Sequence, residues 1–556
     1  MYTASALFLT AGALAATLDK AIPHIDWVDC SQNVPAVLSS QWPDANLSAL
    51  PSTLHCGRML VPMRYDRPID IDNNITINLA MFRPKKPKGV LFYCPGGTDA
   101  GAAVAWQVAL GLNSDFTPNF GGLLEYDIMG DRSLLSIVLN TANSLIVMDI
   151  RGTWGSNPLN ASLDIVGPLL GNYPDPSDRS AFDAYLSAAS TMWQSWLNMS
   201  TPAGILDHVG TREVVQDYDL IRGALGYKRI NFLGASTGSF RAAQYAATFP
   251  SRVDKFVLDA VVPHGMSTGV SIVQTLTART TPRAIGTMLD EAACKRYSSA
   301  RASRKSSGAH QTCQAYQDLV ARAANDTLAA CGTSDTANCT TFVPKWVLQA
   351  TISGLLQGQP DFPNVLEVLA VAHQGDASIF LTSSTLTIDQ VWGLPILCND
   401  YPIVDKTLKG FQKVAKAGRE VDRYDIDQSS WLGIQLIGSV WPYAVPPNHP
   451  LELNSTMLLV TADFDISQPT EKTTFVWEHQ TPYAALVVRH GEDHVSFNNP
   501  TQASTRITKE FLRSGVLPLK EDSTFVTVYE PGQCRRPIAD PYCVPTGFQA
   551  GDVDSL

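Results

Sequence analysis

The chain has 556 residues, enough for one large core or for a catalytic domain carrying a sizeable insertion. Its composition, 45% hydrophobic and 17% charged, is that of a globular protein and excludes a disordered chain. A net charge of −11 argues against nucleic acid or an anionic membrane as partner, because both reward clustered Lys and Arg.

The opening stretch MYTASALFLTAGALAATLDK carries no charge before Asp19. It is too short to span a bilayer and gives way to polar sequence, so residues 1–15 read as a signal peptide cleaved after an A-x-A site at Ala13 and Ala15. No later stretch reads as a membrane anchor. Export would agree with seven Asn-x-Ser/Thr sequons, at Asn46, Asn74, Asn160, Asn198, Asn325, Asn338 and Asn454. It would also suit ten cysteines, with Cys30 and Cys56, Cys331 and Cys339, and Cys534 and Cys543 as local candidates for disulfides. A zinc site would want close Cys-x-x-Cys or Cys/His spacing, which is missing here, so neither a metal nor a cofactor is expected. The expected location is extracellular.

Strand signals begin at CGRMLVPMRYDRP (Cys56–Pro68) and NITINLAMFRP (Asn74–Pro84), the second alternating Ile75, Ile77 and Leu79 with polar neighbours as a half-exposed antiparallel strand does. The next strands are continuous apolar runs: GVLFYC (89–94), SLIVMDI (144–150), INFLGA (230–235) and KFVLDAVV (255–262). Such runs suit parallel strands covered on both faces. Thr211 to Leu225 places Val214, Tyr218, Ile221 and Leu225 at helical spacing, and Ala242, Ala243 and Ala246 let a second helix pack closely. Strands alternating with helices predict an α/β fold with a mostly parallel sheet.

From Met266 to Leu453 the pattern becomes mainly helical, and residues 266–453 read as a cap inserted over the active site. Within it KRYSSARASRKSSGAH (Lys295–His310) reads as a solvated surface loop. Strands return at STMLLVTADFD (455–465) and YAALVVRHGEDH (483–494). The core then comprises residues 16–265 and 454–556.

The strand around Ile230 stops on Gly234-Ala235-Ser236-Thr237-Gly238, where glycines would permit a strained turn that lifts a serine hydroxyl above the sheet. A serine hydroxyl is a poor nucleophile near neutral pH and needs a histidine base oriented by a carboxylate. Two later strands end on suitable groups, Asp463 and Asp465 in ADFDISQP, then His490 and His494 in RHGEDHVSF. The order Ser, Asp, His, each just after a strand, is that of an α/β-hydrolase triad.

With these motifs the sequence resembles the tripeptidyl-aminopeptidase-like branch of the α/β-hydrolases, secreted serine exopeptidases related to prolyl iminopeptidases. The resemblance rests on CGRMLVPMRYDRP, on CPGGTDAG (Cys94–Gly101), on DIRGTWGS (Asp149–Ser156), on LDAVV and on LCND (Leu397–Asp400). It implies Ser236 as nucleophile, Asp465 in DISQP as the acid and His494 in GEDH as the base, with Asp463 and His490 as supporting groups. The backbone N–H of Thr237 and one from the glycine turn, that of Gly97 ahead of Gly96 or Thr98, would form the oxyanion hole. The family's second glycine pair is replaced here by Thr98-Asp99-Ala100. Arg151 would structure the turn through hydrogen bonds or a salt bridge.

The implied function is cleavage near a free peptide N-terminus through an acyl-enzyme on Ser236. The substrate ammonium would need a carboxylate, for which Asp99, Asp400 and Glu492 are candidates. The same triad serves any acyl transfer, so an esterase, amidase or lactonase acting on a small molecule is the alternative. A binding protein that has lost catalysis would normally lack one triad member, and none is missing. The expected partner is a peptide or small-molecule acyl substrate.

Overall fold

Successive side chains of a strand point to opposite faces, so a run apolar at every position is buried from both sides. The computed structural model describes residues 24–112, 143–170, 174, 177–269, 271–272, 308–331, 339–356, 362–381, 386–421, 428–479, 483–491, 494–499 and 501–533. The predicted runs form β4 (Gly89–Cys94), β5 (Asn143–Met148), β6 (Ile230–Ala235), β7 (Val253–Asp259), β8 (Met457–Ala462) and β9 (Ala484–Arg489). These pair in parallel in the order β5-β4-β6-β7-β8-β9. Antiparallel strands close both sides: β1 (Asp26–Val28), β2 (Leu54–Val61) and β3 (Ile75–Phe82) beyond β5, and β11 (Val526–Tyr529) and β10 (Glu521–Asp522) beyond β9.

The two faces divide neighbouring residues. Phe92, Phe232 and Phe256 pack with Trp193 and Trp196 of α2 (Arg179–Met199), Val214, Tyr218 and Ile221 of α3 (Thr211–Ala224), and Ala242, Ala243 and Tyr245 of α4 (Thr237–Thr248). Leu91, Tyr93, Leu233 and Val257 pack the other way, against Trp106 of α1 (Gly101–Leu110) and Ile507 and Phe511 of α13 (Ala503–Ser514). The alternation in β3 is kept at Ile75 and Ile77, but Ala80 and Phe82 are also buried because they pack in the same cluster as the side chains of α1. β2 is shorter than its sequence signal and ends at Val61, before Pro62, which lacks an N–H for the ladder.

Between β7 and β8 the described chain is helical. α5 (Gly308–Ala324), α6 (Lys345–Leu356) and α7 (Phe362–His373) share a core with Ile466, the neighbour of Asp465. α8 (Ile388–Val391), α9 (Gly393–Asp400), α10 (Leu408–Val421) and α11 (Gln428–Ser439) follow, with Phe411 and Leu436 packed on Phe182 of α2. α12 (Thr470–His479) follows β8. Residues 308–310 of the supposed basic loop open α5 instead, and the rest of that run lies outside the described residues.

Cys30–Cys56 and Cys331–Cys339 are disulfides, with Cα atoms 5.2 and 5.6 Å apart. Cys534, Cys543, Asn338 and the predicted signal peptide lie outside the described residues. Asn46, Asn160, Asn198, Asn325 and Asn454 are exposed, whereas Asn74 is half-buried and donates its amide to the carbonyls of Asp70 and Ile71. Among the described residues no helix is long and apolar enough to cross a membrane.

Candidate active site

The serine turn is tight for a reason that can be measured. Ser236 has φ 52° and ψ −126°, a backbone conformation that L-residues rarely adopt. A Cβ on Gly234 would lie 2.4 Å from the carbonyl oxygen of Gly238, and one on Gly238 would lie 2.3 Å from that of Cys94. Only glycine fits at either place, so strand β6 can turn sharply into helix α4. The Ser236 N–H donates to the Asp259 carbonyl at 2.9 Å, and the Ser236 carbonyl accepts from the N–H of Ser239 at 2.9 Å and from its hydroxyl at 2.5 Å. Nucleophile-elbow geometry is present.

Two Asp–His pairs stand at the ends of β8 and β9. His494 Nδ1 lies 2.7 Å from Asp465 Oδ2, while Asp465 Oδ1 accepts from the N–H groups of Ser467 (2.7 Å) and Gln468 (2.9 Å). Asp465 is 1% exposed and held by these three contacts. The bond to His494 fixes which imidazole nitrogen faces the aspartate. The second pair is closed. His490 Nδ1 lies 2.5 Å from Asp463 Oδ2, and its Nε2 lies 2.9 Å from the hydroxyl of Thr527 on β11. Both ring nitrogens of His490 are therefore engaged.

The glycine turn after β4 approaches the elbow closely: a Cβ on Gly96 (φ +105°) would fall 2.5 Å from the Ala235 carbonyl. Gly97 turns its carbonyl towards α4, where it accepts from Arg241 Nη2 at 3.3 Å and from the Thr237 hydroxyl at 3.4 Å. Trp154, itself at φ 42°, donates its indole N–H to the Thr98 carbonyl at 2.6 Å and stands edge-on to Trp392. Asp149 accepts from Ala102 N–H in the first turn of α1 at 3.0 Å, from Gly155 N–H at 3.1 Å and from the Asn78 amide at 2.8 Å. The turn is thus held from three sides.

The carboxylates singled out for the substrate amine have different fates. Asp99 is exposed at the lip of the turn but crowded by surrounding protein, and this desolvation raises its carboxyl above the usual range, opposed by the charges of Arg241 and His494. Asp400 has other duties. Its two oxygens accept from the N–H (2.7 Å) and hydroxyl (2.8 Å) of Thr211, the first residue of α3, and burial pushes its carboxyl up to about 6. It is a helix cap contributed from 189 residues away rather than a free carboxylate. Glu492 lies outside the described residues.

Arg151 is wholly buried and every one of its donors is used. Nε and Nη2 bind Asp217 (2.7 and 2.5 Å), Nη1 binds the carbonyls of Met63 and His208, and Nη2 also reaches that of Pro62. It ties the β2 end to α3, as a buried, satisfied ion pair must. Asp259, which sequence reasoning passed over, is also fully buried: its carboxylate accepts from the N–H groups of Ser496 (3.1 Å) and Phe497 (2.8 Å), just beyond His494.

A mostly parallel sheet, helices on both faces and a serine elbow followed by strand-end Asp and His define the class: the fold is that of an α/β-hydrolase, and the alpha/beta hydrolase fold family matches residues 144–283. Among curated relatives, a tripeptidyl aminopeptidase of Streptomyces coelicolor is 27% identical over 257 residues, 45% of this chain and 40% of the relative. The serine protease Hip1 of Mycobacterium bovis is 26% identical over 241 residues, 43% of this chain and 39% of the relative. The chain thus spans about 40% of the length of the curated relatives it matches. Among solved structures, the proline iminopeptidase of Mycobacterium smegmatis is 12% identical with a TM-score of 0.31, covering 78% of this chain and 94% of that one. The fold is thus that of the α/β-hydrolases, and the sequence is similar to tripeptidyl aminopeptidases over less than half of the chain.

Proposed function

We propose that this chain is a secreted serine exopeptidase that cleaves near a free peptide N-terminus through an acyl-enzyme on Ser236. The observation that carries the chemistry is the Asp465–His494 pair, set one strand-end beyond another from the strained Ser236. Asp465 holds His494 Nδ1, so Nε2 accepts the Ser236 proton as the hydroxyl oxygen attacks the scissile carbonyl. The N–H groups of Thr237 and the Gly97 turn stabilise the developing oxyanion. His494 then delivers the proton to the leaving amine, and water repeats the sequence to free Ser236 and the N-terminal fragment. The helices between β7 and β8 form the cap of this site, and the packing of Ile466 among them supports that reading.

The peptidase reading draws on the relatives named tripeptidyl aminopeptidase and serine protease. Asp99 is the carboxylate for the substrate ammonium, because it stands on the oxyanion turn within the field of His494. A cavity of about 580 Å³ lined by Ala100, Trp154, Trp392, Asn33 and Arg58 lies behind that turn, and none of Ser236, Asp99 or His494 lines it. A charge-assisted bond to the ammonium contributes about 1.5–3 kcal/mol. Acetylating a peptide substrate's N-terminus therefore lowers kcat/KM about 10–100-fold, and Asp99→Asn abolishes that preference. Equal cleavage of blocked and free peptides, or turnover of acyl esters alone, would instead make the chain a small-molecule esterase. Ser236→Ala removes turnover and organophosphonate labelling, leaving a rate on the order of 10⁴–10⁶-fold lower.

A further inference from the structure

Besides Trp154, three non-glycine residues beside the serine elbow and the His494 turn hold positive φ: Ser236 at 52°, Ala260 at 53° and Val495 at 58°. Such conformations cost about 1–3 kcal/mol each and persist only where surrounding bonds over-determine them. Val495, β-branched and next to His494, is the least tolerant of the three. One residue bonds to all three places. Asp259 gives its carbonyl to the Ser236 N–H at 2.9 Å, precedes Ala260 in the chain, and gives its carboxylate to the N–H groups of Ser496 (3.1 Å) and Phe497 (2.8 Å) immediately after Val495. Arg489 Nε, at the end of β9, donates to the Ser496 hydroxyl at 3.2 Å and steadies the same turn.

We propose that Asp259 is a positioning residue for catalysis, which fixes the strained His494–Val495 backbone against the Ser236 elbow. The inference rests on the serine-hydrolase reading of Ser236 and His494. Main-chain bonding alone would set the elbow, since any residue offers a carbonyl. The side chain is what brings the histidine loop into register with it. A buried carboxylate accepting two N–H groups is suited to this only when ionised, because a protonated oxygen presents a donor to one of them. The titratable groups around it are His494, Arg489 and, on β4, the neutral Tyr93 phenol; burial raises the Asp259 carboxyl to about 6 against the opposing pull of the two N–H bonds, His494 and Arg489.

The test is Asp259→Asn, which keeps shape but turns an amide N–H towards one of the two backbone donors. With a free-amine tripeptide p-nitroanilide we expect kcat to fall about 10–100-fold with KM within threefold, since a small misplacement of a catalytic group costs rate rather than binding. Phosphonate labelling of Ser236 slows in parallel. The unmodified chain supplies a second measurement. Below about pH 6 its labelling rate falls more steeply than that of Asp259→Asn, by the proton that Asp259 takes up. Equal steepness in the two, or a folded variant with turnover within threefold of wild type, overturns the role of Asp259. Ser236→Ala run alongside separates the two failures. Turnover that survives in it overturns the reading of the site, whereas its loss beside an undiminished Asp259→Asn overturns only the positioning role.

Discussion

The two histidines show how identical chemistry at neighbouring positions divides by hydrogen-bond supply. His490 spends Nδ1 on Asp463 and Nε2 on Thr527, so it fastens the end of β9 to β11. His494 spends Nδ1 on Asp465, as the base of a triad would. His494→Ala should therefore match Ser236→Ala, on the order of 10⁴–10⁶-fold in kcat, because triad members act as a unit. His490→Ala should cost less than about tenfold in kcat, and about 1–3 kcal/mol of stability from the lost bonds to Asp463 and Thr527. Parallel kinetics and thermal melts on both variants check this, and equal kinetic losses would remove the distinction. Sequence order alone left Asp463 with Asp465 and His490 with His494; family likeness chose between them. The hydroxyl of Thr527, which engages the second ring nitrogen of His490, sits 37 residues from it on a strand with no motif of its own.

At the scale of elements, the parallel strands were legible because each apolar run is buried on both faces, and their ends agree with the structure to within a few residues at β4 to β9. The glycine turn was legible only as a motif. What holds it comes from distant segments that sequence spacing cannot join: Arg241 to the Gly97 carbonyl, Trp154 to the Thr98 carbonyl, and the Thr98 hydroxyl to the Asp389 carbonyl at the start of α8. Trp154, within DIRGTWGS, is the post on which the turn leans. Trp154→Phe keeps the ring that meets Trp392 but loses the 2.6 Å bond to Thr98. A single neutral hydrogen bond contributes about 0.5–1.5 kcal/mol, so kcat should fall about 2–10-fold with KM little changed. Steady-state kinetics on the free-amine substrate check it. A rise in KM at constant kcat would mean that Trp154 contacts substrate and does not steady the turn.

Across the whole molecule, Asp400 joins the helical layer to the core: it ends α9, in the segment between β7 and β8, and caps α3, which packs under the sheet. A carboxylate so placed leaves a pH signature whose sign can be worked out. Burial raises its folded value to about 6, above the ordinary 3.8, so the folded chain holds the proton more tightly than the unfolded one. As pH rises from 4 to 6 the unfolded chain releases its proton first, and stability from this group falls through that window. Asp400→Asn can keep both bonds, its oxygen accepting from the Thr211 N–H and its amide donating to the hydroxyl, with nothing to titrate. Near pH 4 the variant and the parent should melt alike. By pH 7 the variant should be the more stable, by on the order of 1–3 kcal/mol. Its preference for a free substrate amine should be intact, because a helix cap is not an ammonium site. Thermal melts at pH 4 to 7, with kinetics on free and acetylated peptides, test both halves. A melting difference that stays flat with pH would show that Asp400 does not titrate there, and loss of the amine preference would return it to the substrate site in place of Asp99.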